Sequence, residues 1–202
     1  MKHFFYLLFL VLFVSSVTAQ ETQSILVNQN RLSGLINELS TYGKNAAGGS
    51  DRVAYSPHDI AARKFLIGKL EMLGLKVSVD FAGNIIAKKT GSNPKLKPIT
   101  FGSHIDEVPN GGDYDGPVGS MGAIEVLETL IEKNITTRHP LELILFTNEE
   151  GGVVGSRAIA GQLSAAALTT KSSSGQTQSE GIRAVGGNPN RIMEVKREKG
   201  DI

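Results

Sequence analysis

Two short segments of the sequence carry side chains that could bind a metal ion and move a proton. The first contains His104, Asp106 and Asp115 in a glycine-rich stretch, and the second is the adjacent pair Glu149 and Glu150. The sequence has no cysteine, so a metal site would have to use imidazole and carboxylate ligands. These residue types are suited to metal-assisted hydrolysis.

The spacing of His104 and Asp106 is typical of a metal-ligating histidine and its partner. One ring nitrogen could bind the metal while the other donates a hydrogen bond to the carboxylate, which fixes the tautomer. Asp115 has two carboxylate oxygens and could bridge two cations, because the glycines around it let the backbone turn tightly. A lone histidine at the end of a strand is more often only hydrogen-bonded, so this segment does not establish a site by itself.

The pair Glu149 and Glu150 follows an apolar stretch and precedes two glycines. Two carboxylates at one sheet edge could divide the work of amide hydrolysis between them. One would bind the metal that polarises the carbonyl, and the other would take a proton from water. A solvated acidic turn is the alternative for the pair alone, but the combination with the first segment favours a metal site.

Each segment lies just beyond the end of a predicted β-strand. These strands are expected at 99–101 and 141–146, and ligands of α/β proteins collect at the carboxyl ends of such strands. Strands separated by helical stretches predict an α/β fold with a mixed or mainly parallel sheet and flanking helices. The other predicted elements are two strands at 76–81 and 85–87, three helices at 23–42, 57–73 and 119–133, and a short polar helix at 190–198.

The charge balance argues against a nucleic-acid or anionic-membrane partner. Lys and Arg number 21 against 20 Asp and Glu, and the formal net charge is +1. A small-molecule substrate suits such a chain better than a polyanion does.

The first 19 residues have the pattern of a secretory signal peptide. A basic start precedes the apolar run 4–14, and Val17 and Ala19 occupy the small-residue cleavage positions. An uncleaved anchor is the alternative, but the run is shorter than the roughly 20 residues of a membrane span. We therefore expect an exported chain that begins near Gln20 and has no stable membrane association after cleavage.

The rest of the chain divides by composition near residue 163. Residues 20–163 are predicted to form the N-terminal part of a metal-dependent catalytic domain. Residues 164–202 are predicted to be a connector and the start of a further segment, because the stretch that follows residue 163 is rich in Ala, Ser, Thr and Gln.

The joint pattern closely resembles the amidohydrolase branch of the co-catalytic zinc-peptidase superfamily, of the hydantoinase/carbamoylase type. This branch contains N-carbamoyl-amino-acid hydrolases, allantoate amidohydrolases and beta-ureidopropionases. The matching motifs are Ala-Gly-Asn at 82–84, Gly-Ser-His-Ile-Asp at 102–106, Val-Pro-Asn-Gly-Gly at 108–112, Tyr-Asp-Gly at 114–116, Phe-Thr-Asn-Glu-Glu-Gly-Gly at 146–152, Gly-Ser-Arg-Ala at 155–158 and Gly-Gly-Asn-Pro at 186–189.

The resemblance implies a role for each of the singled-out residues. His104, Asp115 and Glu150 would bind two divalent metal ions, zinc or manganese, with Asp115 as the bridge. Glu149 would be the general base, and Asp106 would be the partner of His104. The implied activity is hydrolysis of carbon–nitrogen bonds other than peptide bonds in N-carbamoyl, ureido or allantoate-like compounds, and the full-length form would be a homodimer. An exported metallo-exopeptidase and an inactive remnant are the alternatives.

The sequence departs from the family pattern in its histidines. Members of this branch have two further metal-binding histidines, one in a His-Ile-Glu-Gln-Gly-like segment soon after a Gly-Asp-Ile stretch and one near the C-terminus. Gly-Asp-Ile stands here at 200–202, and His3, His58 and His139 do not occupy matching positions. We therefore expect the sequence to be an N-terminal fragment or the product of a truncated gene, without turnover of its own.

Overall fold

The computed structural model describes residues 25–201, so the predicted signal peptide at 1–19 lies outside the described residues. The helices are α1 (Gln29–Ser40), α2 (Pro57–Met72), α3 (Pro117–Glu132), α4 (Val154–Ile159) and α5 (Gln178–Ala184). The strands are β1 (Lys76–Val79), β2 (Ile85–Lys89), β3 (Ile99–His104) and β4 (Leu141–Phe146), and two 3-10 turns span Ala165–Thr169 and Pro189–Val195.

The four strands form one mixed sheet in the order β1-β2-β4-β3. β2 pairs antiparallel with β1 and with β4, whereas β3 runs parallel to β4. The register sets His104 opposite Phe146, so the two strands end at the same edge. The predicted α/β fold is confirmed in its mixed form, and the parallel pair brings the two chemical segments together.

Each face of the sheet is covered by helices. The first three helices pack on the face that carries the odd-numbered residues of β4, and the core there includes Leu39, Leu66, Leu127 and Leu143. The shorter helices pack with Ile144 on the opposite face. No helix within residues 25–201 is long and apolar enough to cross a membrane.

Residues 164–201 lie against this second face and do not stand apart from it. Ile182, Val185, Ile192 and Val195 are buried in the same cluster as Ile144. Because these apolar residues are few and widely spaced among polar ones, their packing was not evident from the sequence. The domain boundary predicted at residue 163 stays a prediction.

Capping residues set the first residues of α1 and α2. Ser56 accepts a hydrogen bond from the N–H of Asp59, and Pro57 is the first residue of α2, as predicted. α1 starts later than predicted, because Asn28 caps it: the Asn28 side chain accepts from the N–H of Arg31, and its own N–H donates to Glu125 at 2.6 Å.

Candidate metal centre

His104 is the last residue of β3, and its ring is buried. Nδ1 lies 3.1 Å from the main-chain carbonyl oxygen of Asp106. Because a carbonyl can only accept, this contact places the proton on Nδ1 and leaves the lone pair of Nε2 free. Nε2 lies 3.8 Å from Glu149 Oε2 and 4.0 Å from Asp115 Oδ1, so the free nitrogen faces carboxylates.

The expected contact between His104 and the Asp106 carboxylate was wrong in one detail. The ring donates to the main-chain carbonyl of Asp106, while Asp106 Oδ1 is 3.9 Å from Nδ1. The carboxylate instead accepts the N–H groups of Glu149 and Glu150, each at 3.2 Å. Asp106 therefore fixes the tautomer through its backbone and ties the end of β3 to the residues that follow β4 through its side chain.

The ionisation of Asp106 suits this second contact. Burial and the nearby charge of Asp59 raise the pKa of Asp106 to about 6, although the hydrogen bonds from Glu149 and Glu150 and the charge of His104 oppose the rise. Above that pH the carboxylate is mostly ionised. It can then accept both N–H groups at once, as the geometry shows.

Residues 148–151 form what we call the Glu149–Glu150 turn. Asn148 has a left-handed φ of 48°, a conformation that asparagine tolerates better than most residues. Its Oδ1 accepts the N–H of Gly151 at 3.0 Å and closes the turn around the two glutamates. The Asn148 Nδ2 group donates to Oε1 of Gln178 at 2.6 Å, and both of these side chains are buried.

Arg52 holds the other side of the site, although no sequence pattern predicted this role. Its fully buried guanidinium donates to the carbonyl of Ile105 at 2.6 Å and to Glu107 Oε1 at 2.8 Å. It also donates to the carbonyls of Leu39 and Tyr42 at the end of α1. Arg52 therefore fixes the backbone between His104 and Asp106. Its only sequence signal is an arginine that directly precedes an apolar stretch.

His104, Glu149 and Glu150 each offer one ligand atom, and these atoms lie within 4.8 Å of one another. An imidazole nitrogen with carboxylate oxygens is a donor set that suits zinc or manganese. The Glu149 side chain is 38% exposed, so the cluster is open to small molecules. The residues present fit a divalent cation.

The predicted site residues thus lie near one another, but only three of them belong to the cluster. His104 and Glu150, predicted as ligands, share the cluster with Glu149, the predicted base. Asp115 lies at the margin with a side chain that is 85% exposed, and Asp106 lies behind the turn. The division of roles between ligand, bridge and base stays a prediction.

The other acidic and histidine candidates lie elsewhere. Asp113 forms an ion pair with Lys44 at 3.1 Å. His58 is in the first turn of α2, and His139 Nδ1 contacts the carbonyl of Lys97 at 2.8 Å; neither belongs to the cluster. His3 lies outside the described residues.

The chain is similar in sequence to known hydrolases. The sequence model of the family described as Peptidase family M28 matches residues 84–184. The chain is 35% identical over 182 residues to an N-carbamoyl-L-amino acid amidohydrolase of Geobacillus stearothermophilus, covering 88% of this chain and 44% of that protein. It is 37% identical over 171 residues to a ureidoglycolate hydrolase of Arabidopsis thaliana, covering 81% of this chain and 36% of that protein.

The fold also matches solved structures. A hydantoinase/carbamoylase family amidase from Burkholderia ambifaria superposes with a TM-score of 0.76 at 31% identity, covering 81% of this chain and 42% of that one. The chain therefore spans less than half the length of the relatives it matches.

Proposed function

Because the chain belongs to peptidase family M28 and is similar to hydantoinase/carbamoylase amidohydrolases, we propose that it serves metal-dependent hydrolysis of a non-peptide carbon–nitrogen bond. The substrate class that we propose is an N-carbamoyl amino acid or a related ureido compound. The single observation that carries the proposal is the cluster of His104, Glu149 and Glu150 at the shared end of β3 and β4.

The chemistry depends on which groups meet at this cluster. A bound divalent cation would supply Lewis acidity, which polarises a substrate carbonyl and lowers the pKa of water. In its neutral form His104 presents the lone pair of Nε2 to a cation, because the Asp106 carbonyl holds the ring proton on Nδ1. Glu149 lies beside that nitrogen with a partly exposed carboxylate, so it can accept a proton from water and pass it to the leaving nitrogen.

A second cation is proposed on the strength of Asp115. Its Oδ1 is 4.0 Å from His104 Nε2, and its other oxygen is available because the side chain is mostly exposed. Asp115 would bridge zinc or manganese ions, with Glu150 as a ligand of the second ion.

A metallo-exopeptidase is the second candidate, and the match to a peptidase family favours it. The two candidates differ in substrate. A peptidase would prefer dipeptides, whereas the proposed amidohydrolase would prefer N-carbamoyl amino acids or allantoate.

Metal affinity tests the proposal directly. We expect His104→Ala and Glu150→Gln to weaken zinc or manganese binding at least about tenfold, because each change removes a ligand atom. Chelator competition on the purified chain would give the dissociation constants. The matched control is His139→Ala, a half-buried histidine outside the cluster, which should leave affinity unchanged. Equal affinity of the unaltered chain and His104→Ala would contradict the proposal.

We also propose that the chain is exported and that its full-length form is a homodimer. The first rests on the signal-like residues 1–19, and the second rests on the family resemblance. Export predicts a mature N-terminus near Gln20 in the exported fraction, and N-terminal sequencing would check it. Light scattering of the full-length form would check the dimer. A cytosolic protein that retains Met1, or a monomeric full-length form, would contradict the respective proposal.

A further inference from the structure

We propose that Gln178 is a positioning residue: it holds the Glu149–Glu150 turn, through Asn148, in the shape that binds metal. The inference rests on the proposed function, because it concerns the same carboxylates. Gln178 belongs to none of the motifs that carry the family resemblance, and it lies in the segment that the sequence predicts to be a connector.

The side chain of Asn148 sets the shape of the turn. It precedes the two glutamates, and its Oδ1 accepts the Gly151 N–H at 3.0 Å across them. A Cβ added at Gly151 would lie 2.3 Å from this oxygen, so the turn closes tightly around the side chain. The orientation of one buried amide group is therefore one of the contacts that set the direction in which the glutamates project.

Gln178 fixes that orientation. Nδ2 of Asn148 donates to Gln178 Oε1 at 2.6 Å, while the other end of the same amide accepts from Gly151. Rotation of the Asn148 amide by half a turn would exchange its donor and its acceptor and lose both hydrogen bonds. Both side chains are buried, so water is not available to replace either partner.

The position of Gln178 is itself well defined. It is the first residue of α5, which begins with a capping box. The Glu180 N–H donates to Thr177 Oγ1 at 3.2 Å, and the Thr177 N–H donates to Glu180 Oε2 at 2.8 Å. The Gln178 N–H donates to the carbonyl of Thr170 at 2.9 Å. These contacts give Asn148 a fixed partner.

The turn is thus held from two directions. Asp106 accepts the N–H groups of Glu149 and Glu150 from the side of β3. Gln178 acts from the side of α5, through Asn148. Removal of the Gln178 acceptor would leave a buried donor on Asn148, and rotation of that amide to find a partner would release Gly151.

The test is Gln178→Met, which keeps the length of the side chain and removes the acceptor. We expect the Gly151 amide to exchange with solvent at least about tenfold faster, while the core amide of Leu143 is unchanged. Zinc affinity should fall at least about threefold, but by less than the roughly 10- to 100-fold typical of removing a direct partner of a metal ligand, because Gln178 contacts Asn148 and not a ligand. The absorption spectrum of the cobalt form should change. Gln162→Met is the matched control, since Gln162 is exposed and its side chain should change none of these readings.

A double-mutant cycle with Asn148→Ala tests whether Gln178 acts through Asn148. In that background Gln178→Met should weaken zinc binding less than about twofold further, because the link is already broken. Additive losses would overturn the inference. Unchanged exchange of the Gly151 amide in Gln178→Met would also overturn it. Equal acceleration at Gly151 and Leu143 would overturn it too, because Gln178 would then contribute to overall stability alone. Failure of the proposed function would appear separately, because His104→Ala would then leave zinc binding unchanged. In that case the exchange rate of the Gly151 amide in Gln178→Met would still test the role of Gln178.

Discussion

The ring of His104 packs against the backbone of Gly116, the residue after Asp115. Gly116 has a φ of 78°, which disfavours any residue with a side chain. A Cβ at this position would lie 2.4 Å from Cε1 and 2.7 Å from Nε2 of His104. The space that Gly116 leaves open is therefore part of what orients the free nitrogen toward the carboxylates.

Gly116→Ala is expected to weaken divalent-metal binding at least about tenfold, because the ring must move away from the new methyl group and the backbone is strained. Chelator competition would give the affinity, and NMR of the His104 ring would report its displacement. Gly112→Ala is the matched control in the same loop, since a Cβ there meets nothing within 4 Å. Equal affinities of the two variants would show that the contact does not orient His104.

At the scale of single residues, the sequence predicts the groups that follow the strands but not those that hold them. His104 and Glu150 are recognisable because their types and their positions after apolar strands both suggest a ligand. Arg52, Asn148 and Gln178 owe their roles to buried hydrogen bonds between elements that are distant in sequence. Such contacts depend on tertiary packing and leave no local pattern.

Among the elements, α1 and α3 are joined by the buried carboxylate of Glu125. Arg31 donates to it through Nε at 2.6 Å and through Nη2 at 2.9 Å, and Thr129 donates at 2.8 Å. The N–H of Asn28, which caps α1, adds a bond of 2.6 Å. Burial alone would raise the pKa of Glu125, but these hydrogen bonds outweigh it, and the pKa is lowered.

This lowered pKa predicts how stability depends on pH. Since the folded state holds Glu125 ionised more strongly than the unfolded state, its contribution is present above the ordinary glutamate pKa of about 4.3. That contribution is lost as the pH falls through the lower pKa of the folded state. Glu125→Gln should therefore reduce the free energy of unfolding at pH 7 by about 2 kcal/mol, typical of a hydrogen-bonded charged group, and by less in acid.

Urea unfolding of both proteins at pH 7 and in acid would measure the difference. The matched control is Glu132→Gln, which removes another carboxylate bonded to Arg31 but one that is 53% exposed. It should cost well under about 1 kcal/mol at either pH, as exposed ion pairs do. A loss in Glu125→Gln that does not change with pH would contradict the assignment.

The elements themselves were predictable where local signals were strong. β4 and α2 have the predicted bounds to within a residue, because an apolar run and a Ser-Pro cap define them. β3 continues to His104, beyond the predicted end, because pairing with β4 carries the strand through Gly102. The start of α1 was wrong, since the bond from Asn28 to Glu125 is a tertiary contact.

At the scale of the whole molecule, the site lies at the margin of the described structure. Within residues 25–201, β3 pairs with β4 on one side only, and Ile99 is largely exposed. His104 therefore ends the strand whose other side has no neighbour among these residues. The relatives are more than twice as long as the matched region, so their additional residues are available to contribute to the site.

The 202-residue chain alone is expected to bind a divalent metal but not to hydrolyse N-carbamoyl amino acids. Its cluster contains one imidazole and two glutamates, and the family resemblance implies two further histidines for the complete metal shell. With only these three ligands from residues 25–201 a cation would be held less firmly, and among these residues a substrate beside β3 would be covered on one side only.

Ammonia release from N-carbamoyl amino acids and allantoate, and amino-acid release from dipeptides, would be measured on the zinc- and manganese-loaded chain. The amidohydrolase of Geobacillus stearothermophilus, of which the match covers 44%, is the positive control. Turnover that Glu149→Gln abolishes would contradict the prediction and show that these residues contain a complete site. Turnover that persists equally in Glu149→Gln and in His104→Ala would come from a contaminant, because these changes remove the proposed proton acceptor and a proposed ligand.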